Sequence, residues 1–128
     1  MNDMKTIKEK QLAMIELNKS KFYAIAMPLD DVDEFKNILK DVQKEYAKAK
    51  HVVYAYRIGT SSKSCDDQEP KGTAGKPLLE LLHKKELNNI VIFVARYFGG
   101  TKLGASRLLR TYLQAGINVL DKCEIIEK

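Results

Sequence analysis

Residues 90–95 read Ile-Val-Ile-Phe-Val-Ala, six apolar side chains in a row. A strand with no polar face has to be covered on both sides or lie at the centre of a sheet. The rest of the chain must therefore supply strands to flank it and helices to bury it. With 128 residues there is room for one such core, so a single domain over 1–128 is expected.

The covering elements can be read on both sides of that run. Residues 11–17 and 21–28 are strand-like, and Asn18-Lys19-Ser20 between them suits a short hairpin turn. Val32, Phe35, Ile38, Leu39, Val42, Tyr46 and Ala49 recur at helical spacing. Asp30 or Asp31 can cap that helix; Asp33 and Glu34 suit its start, Lys48 and Lys50 its end. A strand follows at 51–58, with Val52, Tyr54, Tyr56 and Ile58 on one face. Residues 59–73 contain almost no apolar side chain and read as a long functional or disordered loop.

A helix over about 74–86 buries Leu78, Leu81 and Leu82, with Thr73 as its cap or Pro77 in its first turn. The last helix follows residues 96–102 and carries Ala105, Leu108, Leu109, Tyr112, Leu113, Gly116, Ile117 and Leu120. The order is β-β-α-β-α-β-α, an α+β chain. The strands at 51–58 and 90–95 are joined through a helix and are expected to run parallel. Their carboxyl ends would then bring the acidic loop and the glycine loop to one edge, where ligand crevices of α/β sheets tend to lie.

No run of the sequence reaches the 18–20 apolar residues of a membrane span. The first ten residues hold no apolar stretch, so no secretory signal is expected. Cys65 and Cys123 are too few for a disulfide framework, and a cytoplasmic setting is the simplest reading. The net charge is +5. Residues 70–110 hold eight bases (Lys71, Lys76, Lys84, Lys85, Arg96, Lys102, Arg107, Arg110) against two acids, so the surplus belongs to that segment. Such placement points to an anionic partner.

Three constellations could carry chemistry. Asp66, Asp67 and Glu69 could bind a divalent cation or divide acid and base roles. The plainer reading has them accept loop amides and pair with Arg96, Lys102 or Lys71; no metal and no catalytic set is assigned. Gly99-Gly100-Thr101-Lys102-Leu103-Gly104 opens a helix beside Arg96, which suits a phosphate, although it matches neither the P-loop nor the dinucleotide fingerprint. Equally, its glycines could serve a tight turn and close packing. Arg107 and Arg110 share a helix face, and Tyr97 nearby could stack on a base, whereas Phe98 reads as core. His51 and His83 have no ligand partner at helical spacing, and Cys65 beside two carboxylates makes a poor nucleophile.

The motifs go further. Tyr54-Ala-Tyr-Arg57, Asp66-Asp-Gln-Glu-Pro70, Gly72-Thr-Ala-Gly75 with Pro77, and Arg96-Tyr-Phe-Gly-Gly100 with Lys102-Leu-Gly104 closely resemble the YigZ/IMPACT family in order and spacing. Lys19-Ser-Lys-Phe22 is similar to the family's first-hairpin signature. The resemblance covers about residues 5–120. It implies a two-layer α/β sandwich like the second domain of a small-subunit ribosomal protein, with helices on one face of the sheet. It also implies a C-terminal ferredoxin-like domain in bacterial relatives, which is expected to be absent from residues 1–128.

The sequence departs from the family at four places. Gln68 stands where Gly is usual, and Lys71 where a small residue is. Gly104-Ala-Ser-Arg107 replaces Gly-Ala-Gly-Gly, and Val52-Val53 replaces Asn-Cys. Lys71 and Arg107 add positive charge and favour a polyanion.

By resemblance, Asp66, Asp67, Glu69, Thr73, Gly75, Arg96, Gly99, Gly100, Lys102 and Arg110 form the functional surface. To these the charge reading adds Lys71, Lys76, Tyr97 and Arg107. The expected function is a non-enzymatic binding module linked to translation regulation through RNA or the ribosome, with no cofactor and no membrane contact. Two alternatives stand beside it: a protein-interaction regulator of translational stress signalling, and a phosphate-ligand or metal-dependent enzyme.

Overall fold

The computed structural model describes residues 4–127. In chain order its elements are β1 (Lys5–Ile7), β2 (Gln11–Leu17), β3 (Ser20–Pro28), α1 (Val32–Glu45), β4 (His51–Ile58), β5 (Ser61–Cys65), α2 (Gly75–Lys84), β6 (Ile90–Tyr97), α3 (Ala105–Asp121) and β7 (Ile125–Glu127). The main sheet has the order β2-β3-β6-β4-β5, and every pairing in it is antiparallel. Strands β1 and β7 pair in a separate two-stranded ribbon.

The apolar run forms β6, at the centre of the sheet, and its alternating side chains feed two cores. Ile90, Ile92 and Val94 join Phe22, Ala24, Val53 and Ala55 under α2 and α3, which contribute Leu78, Leu82, Leu108, Tyr112 and Val119. Val91, Phe93 and Ala95 point the other way, to Tyr54, Tyr56 and the α1 residues Phe35 and Val42. The sheet with α2 and α3 makes the expected sandwich. However, α1 lies on the opposite face rather than beside its sister helices. The continuous apolar run requires this, because a face left open would expose Phe93, which is fully buried. Phe35 sits 4.8 Å from both Tyr54 and Tyr56 and makes the seal.

The expected parallel pairing of β4 and β6 does not occur. Residues 59–73 are not one structureless loop, because Ser61–Cys65 form edge strand β5. Four of its five residues are exposed, so it carries no apolar pattern to read. β5 returns the chain to the His51 end of the sheet; α2 climbs back, and β6 descends antiparallel to β4. The acidic and glycine loops still meet, by this different route.

Helix α1 is capped by Asp31, whose carboxylate accepts the Asp33 N–H at 2.9 Å. It ends at Glu45, so only Lys44 lies in its last turn, and Lys48 and Lys50 fall beyond it. Thr73 does not cap α2: its hydroxyl donates to the Pro70 carbonyl.

Candidate nucleic-acid cleft

One end of the sheet collects the β2–β3 turn, the acidic loop, the end of β6 and the head of α3. Period-two alternation puts Arg96 on the same face as Ile90, Ile92 and Val94, so its guanidinium enters the core side under α3. There it is 4 % exposed and meets Glu69, 7 % exposed. The Arg96 Nη1 donates to both Glu69 oxygens, at 3.0 and 2.8 Å. The Tyr112 hydroxyl donates to Glu69 Oε2. Burial first, then this bond, pushes the Tyr112 hydroxyl well above the ordinary tyrosine range. His51 Nε2 lies 3.4 Å from Glu69 Oε1, and its Nδ1 donates to the Asp67 carbonyl at 2.7 Å.

The other two acids are loop fasteners. Asp66 accepts the N–H groups of Gly72, Ala74 and Gly75, at 2.9, 3.2 and 2.8 Å, and so caps α2 from outside the helix. Asp67 accepts the Val52 N–H at 2.7 Å and ties the loop to β4. Gly75 lets α2 start against β5: a Cβ there would stand 2.7 Å from the Cys65 backbone nitrogen. Among the described residues, no group of three His, Cys, Asp or Glu side chains is placed to hold a metal ion.

Asp67 and Gln68 have left-handed backbone, φ 44° and 69°. A side chain costs about 1–2 kcal/mol in that region, which accounts for the glycine that relatives are expected to carry at 68. Part of the relief is lost to a freer unfolded chain. Gln68→Gly should therefore stabilise the fold by about 0.5–1 kcal/mol, read as a rise of roughly 2–4 °C in the melting midpoint. No rise would mean that the loop gains something from the Gln68 side chain.

Above the buried network opens a cleft of about 510 Å³, lined by Lys50, Gln68, Arg96, Phe98, Lys102 and Gly104 among others. Phe98 is not core: it is 42 % exposed, and Lys50 Nζ lies 4.4 Å from its ring centre. The same ring also borders a second depression, on the α1 side of the sheet, with Lys19, Lys21, Tyr23, Tyr46 and Tyr97. Tyr97 is half-buried there, edge-on to Tyr23 at 5.5 Å.

The residues expected to form one surface are therefore divided. Tyr97 faces away from Arg107 and Arg110, which are exposed and line a separate groove beside Glu16 and Leu17. Lys71, Lys76 and Gly100 are exposed, Lys102 lines the cleft, and Thr73 and Gly75 are buried at the head of α2. Arg96 is committed to Glu69 and does not stand free on the surface. Sequence reasoning missed His51, Tyr112, Lys50 and Phe98. Alternation alone places His51 on the face opposite Val52, Tyr54 and Tyr56, and the observed register then sets it directly across from Arg96.

Residues 18–120 match the family model described as the Impact N-terminal domain. The chain is 36% identical over 126 residues to the IMPACT family member YvyE of Bacillus subtilis, covering 96% of this chain and 58% of that protein. It is 35% identical over 108 residues to the IMPACT family member YigZ of Escherichia coli, covering 80% and 52%. It thus spans about half the length of the curated relatives it matches. The crystal structure of a hypothetical protein superposes with a TM-score of 0.95 at 28% identity, over 100% of this chain and 65% of that one.

Proposed function

The chain belongs to the IMPACT family through its Impact N-terminal domain, and on that premise we propose that it is a non-enzymatic module binding single-stranded RNA across Phe98. The observation that carries this reading is the position of that ring. It is exposed, and it forms the ridge between two depressions walled by Lys50 and Lys102 on one side and Lys19 and Lys21 on the other. An exposed aromatic gives a base a stacking face of any sequence, and flanking lysines follow the backbone. The setting for such binding is translation regulation, the role that the sequence resemblance implies.

Stacking is worth about 1–3 kcal/mol per base. Phe98→Ala should therefore weaken binding of an unstructured RNA roughly 5- to 100-fold, measured by fluorescence anisotropy. Affinity should fall steeply with salt. Lys21→Glu should weaken binding as well, whereas Lys85→Glu, at the opposite end of α2, should change it little. Failure of the unaltered protein to bind any unstructured RNA at low salt would sink the reading.

A further inference from the structure

The main sheet has two outer edges, and they differ. β5 forms one of them with Ser61, Ser62, Lys63 and Ser64 exposed, a polar and charged composition of the kind that keeps natural edges from pairing. β2 forms the other with seven residues, Gln-Leu-Ala-Met-Ile-Glu-Leu, mostly apolar and without proline. Leu17 and Ser20 flank the two-residue turn and face each other across the ladder, which makes them a hydrogen-bonded pair. Alternation then turns the backbone groups of Ala13 and Ile15 towards β3 and those of Leu12, Met14 and Glu16 outward. The Leu12 carbonyl agrees, since it accepts Lys122 Nζ at 3.0 Å rather than a strand amide.

Both faces beside this edge are distinctive. On the α3 side a groove of about 530 Å³ runs between Ile15, Glu16 and Leu17 and the helix residues Arg107, Arg110 and Gln114. Neither arginine makes an ion pair among the described residues. The groove's one acid, Glu16, stands opposite Lys21 in the ladder, so the charge there is in excess positive. On the α1 side Leu12 and Met14 are 49 % and 48 % exposed and border a depression with Tyr23 and Tyr46.

We propose that β2 takes up an extended segment of a partner protein as a further strand of the sheet, and that this segment alternates acidic with apolar side chains. Strand addition supplies main-chain hydrogen bonds, and alternate side chains supply specificity. One set of them meets Arg107 and Arg110, the other Leu12 and Met14. Lys122 has only an exposed carbonyl bond to release, and is then free to pair with an acid. RNA suits the edge less well, because it can use the arginines but neither the backbone ladder nor the apolar side chains. A second copy of the chain also suits it less well. α3 runs against the direction of β2, with Arg107 and Arg110 near Leu17 and Lys122 at Leu12. Antiparallel pairing of two β2 strands would set Lys122 of each copy towards the arginines of the other, base against base. Phe98 takes no part in this surface.

The test is fluorescence anisotropy with a labelled peptide of seven residues, the length of β2, in which glutamate alternates with valine. It should bind, whereas the same peptide with lysine for glutamate, or with every backbone nitrogen methylated, should not. Arg107→Glu with Arg110→Glu, both at exposed positions, should weaken it about tenfold or more. The same variant should keep its melting midpoint and its affinity for unstructured RNA. No binding of the glutamate–valine peptide overturns the added strand. Equal binding of the methylated peptide also overturns it, since acids alone would then account for the affinity. Loss of RNA affinity in the arginine variant, without peptide binding by the original, assigns the groove to RNA instead. A protein that sediments as a dimer and becomes a monomer on Met14→Lys puts a second copy on β2 and overturns the partner segment. None of these failures touches the RNA reading at Phe98, which Phe98→Ala tests separately.

Discussion

Replacing Arg96 with methionine should cost about 3–5 kcal/mol of stability, because it strands a buried carboxylate without its partner. For a domain of this size that is a fall of roughly 10–20 °C in the melting midpoint. Glu69 keeps the Tyr112 hydroxyl, but the guanidinium that met both its oxygens is gone. The loss should be nearly independent of salt, since a buried pair is screened far less than a surface one. Glu69→Gln in the same chain tests the cause. The amide removes the unpaired charge, so the double variant should recover part of the loss, and chemical denaturation of all four proteins gives the coupling. Additive effects would mean that the two side chains stabilise the fold independently. If Arg96→Met melts within a few degrees of the original, the pair contributes little to the fold, and Arg96 would then be better read as a group kept for a ligand.

The same pair shows how far the residues alone could be read. The parity of Ile90, Ile92, Val94 and Arg96 puts the arginine on a core face, and three acids in four residues offer it a partner. Both facts are local, and so the link between the acidic loop and Arg96 was legible. What selected Glu69 over its neighbours was not, because it depends on the turn from Asp66 to Glu69 and on the left-handed backbone at Asp67 and Gln68. The direction of β4 against β6 was hidden for a similar reason: β5 is an edge strand of Ser, Lys and one Cys, exposed at its first four residues, and no periodicity marks it. Phe98 was misjudged because an aromatic after an apolar strand looks like its continuation. The strand ends at Tyr97, and the next residue leaves the sheet beside Lys50.

Gly99→Ala should be the most damaging single-methyl change in the glycine loop, and its effect should reach the binding surface. A Cβ at 99 would stand 2.2 Å from the Lys19 carbonyl carbon, 2.4 Å from its oxygen and 2.5 Å from the Ser20 nitrogen. These are backbone atoms of the two-residue turn joining β2 and β3, where Asn18 and Lys19 both have left-handed φ, 48° and 69°. That turn cannot yield by swinging a side chain. Either it shifts bodily, which strains the β2–β3 register, or the loop after β6 moves away and loses the Gly99 N–H bond to Ser20 Oγ at 3.2 Å. Overpacking of this kind costs about 1–3 kcal/mol and sometimes more. If the loop moves, Phe98 moves with it, and RNA affinity should fall by more than the lost stability explains while the protein is still folded. Measuring anisotropy well below the melting midpoint separates the two effects. Normal RNA affinity in a destabilised Gly99→Ala protein would place the strain in the turn and leave the Phe98 ridge intact. Normal stability would show that the close approach between the two loops is not maintained in solution.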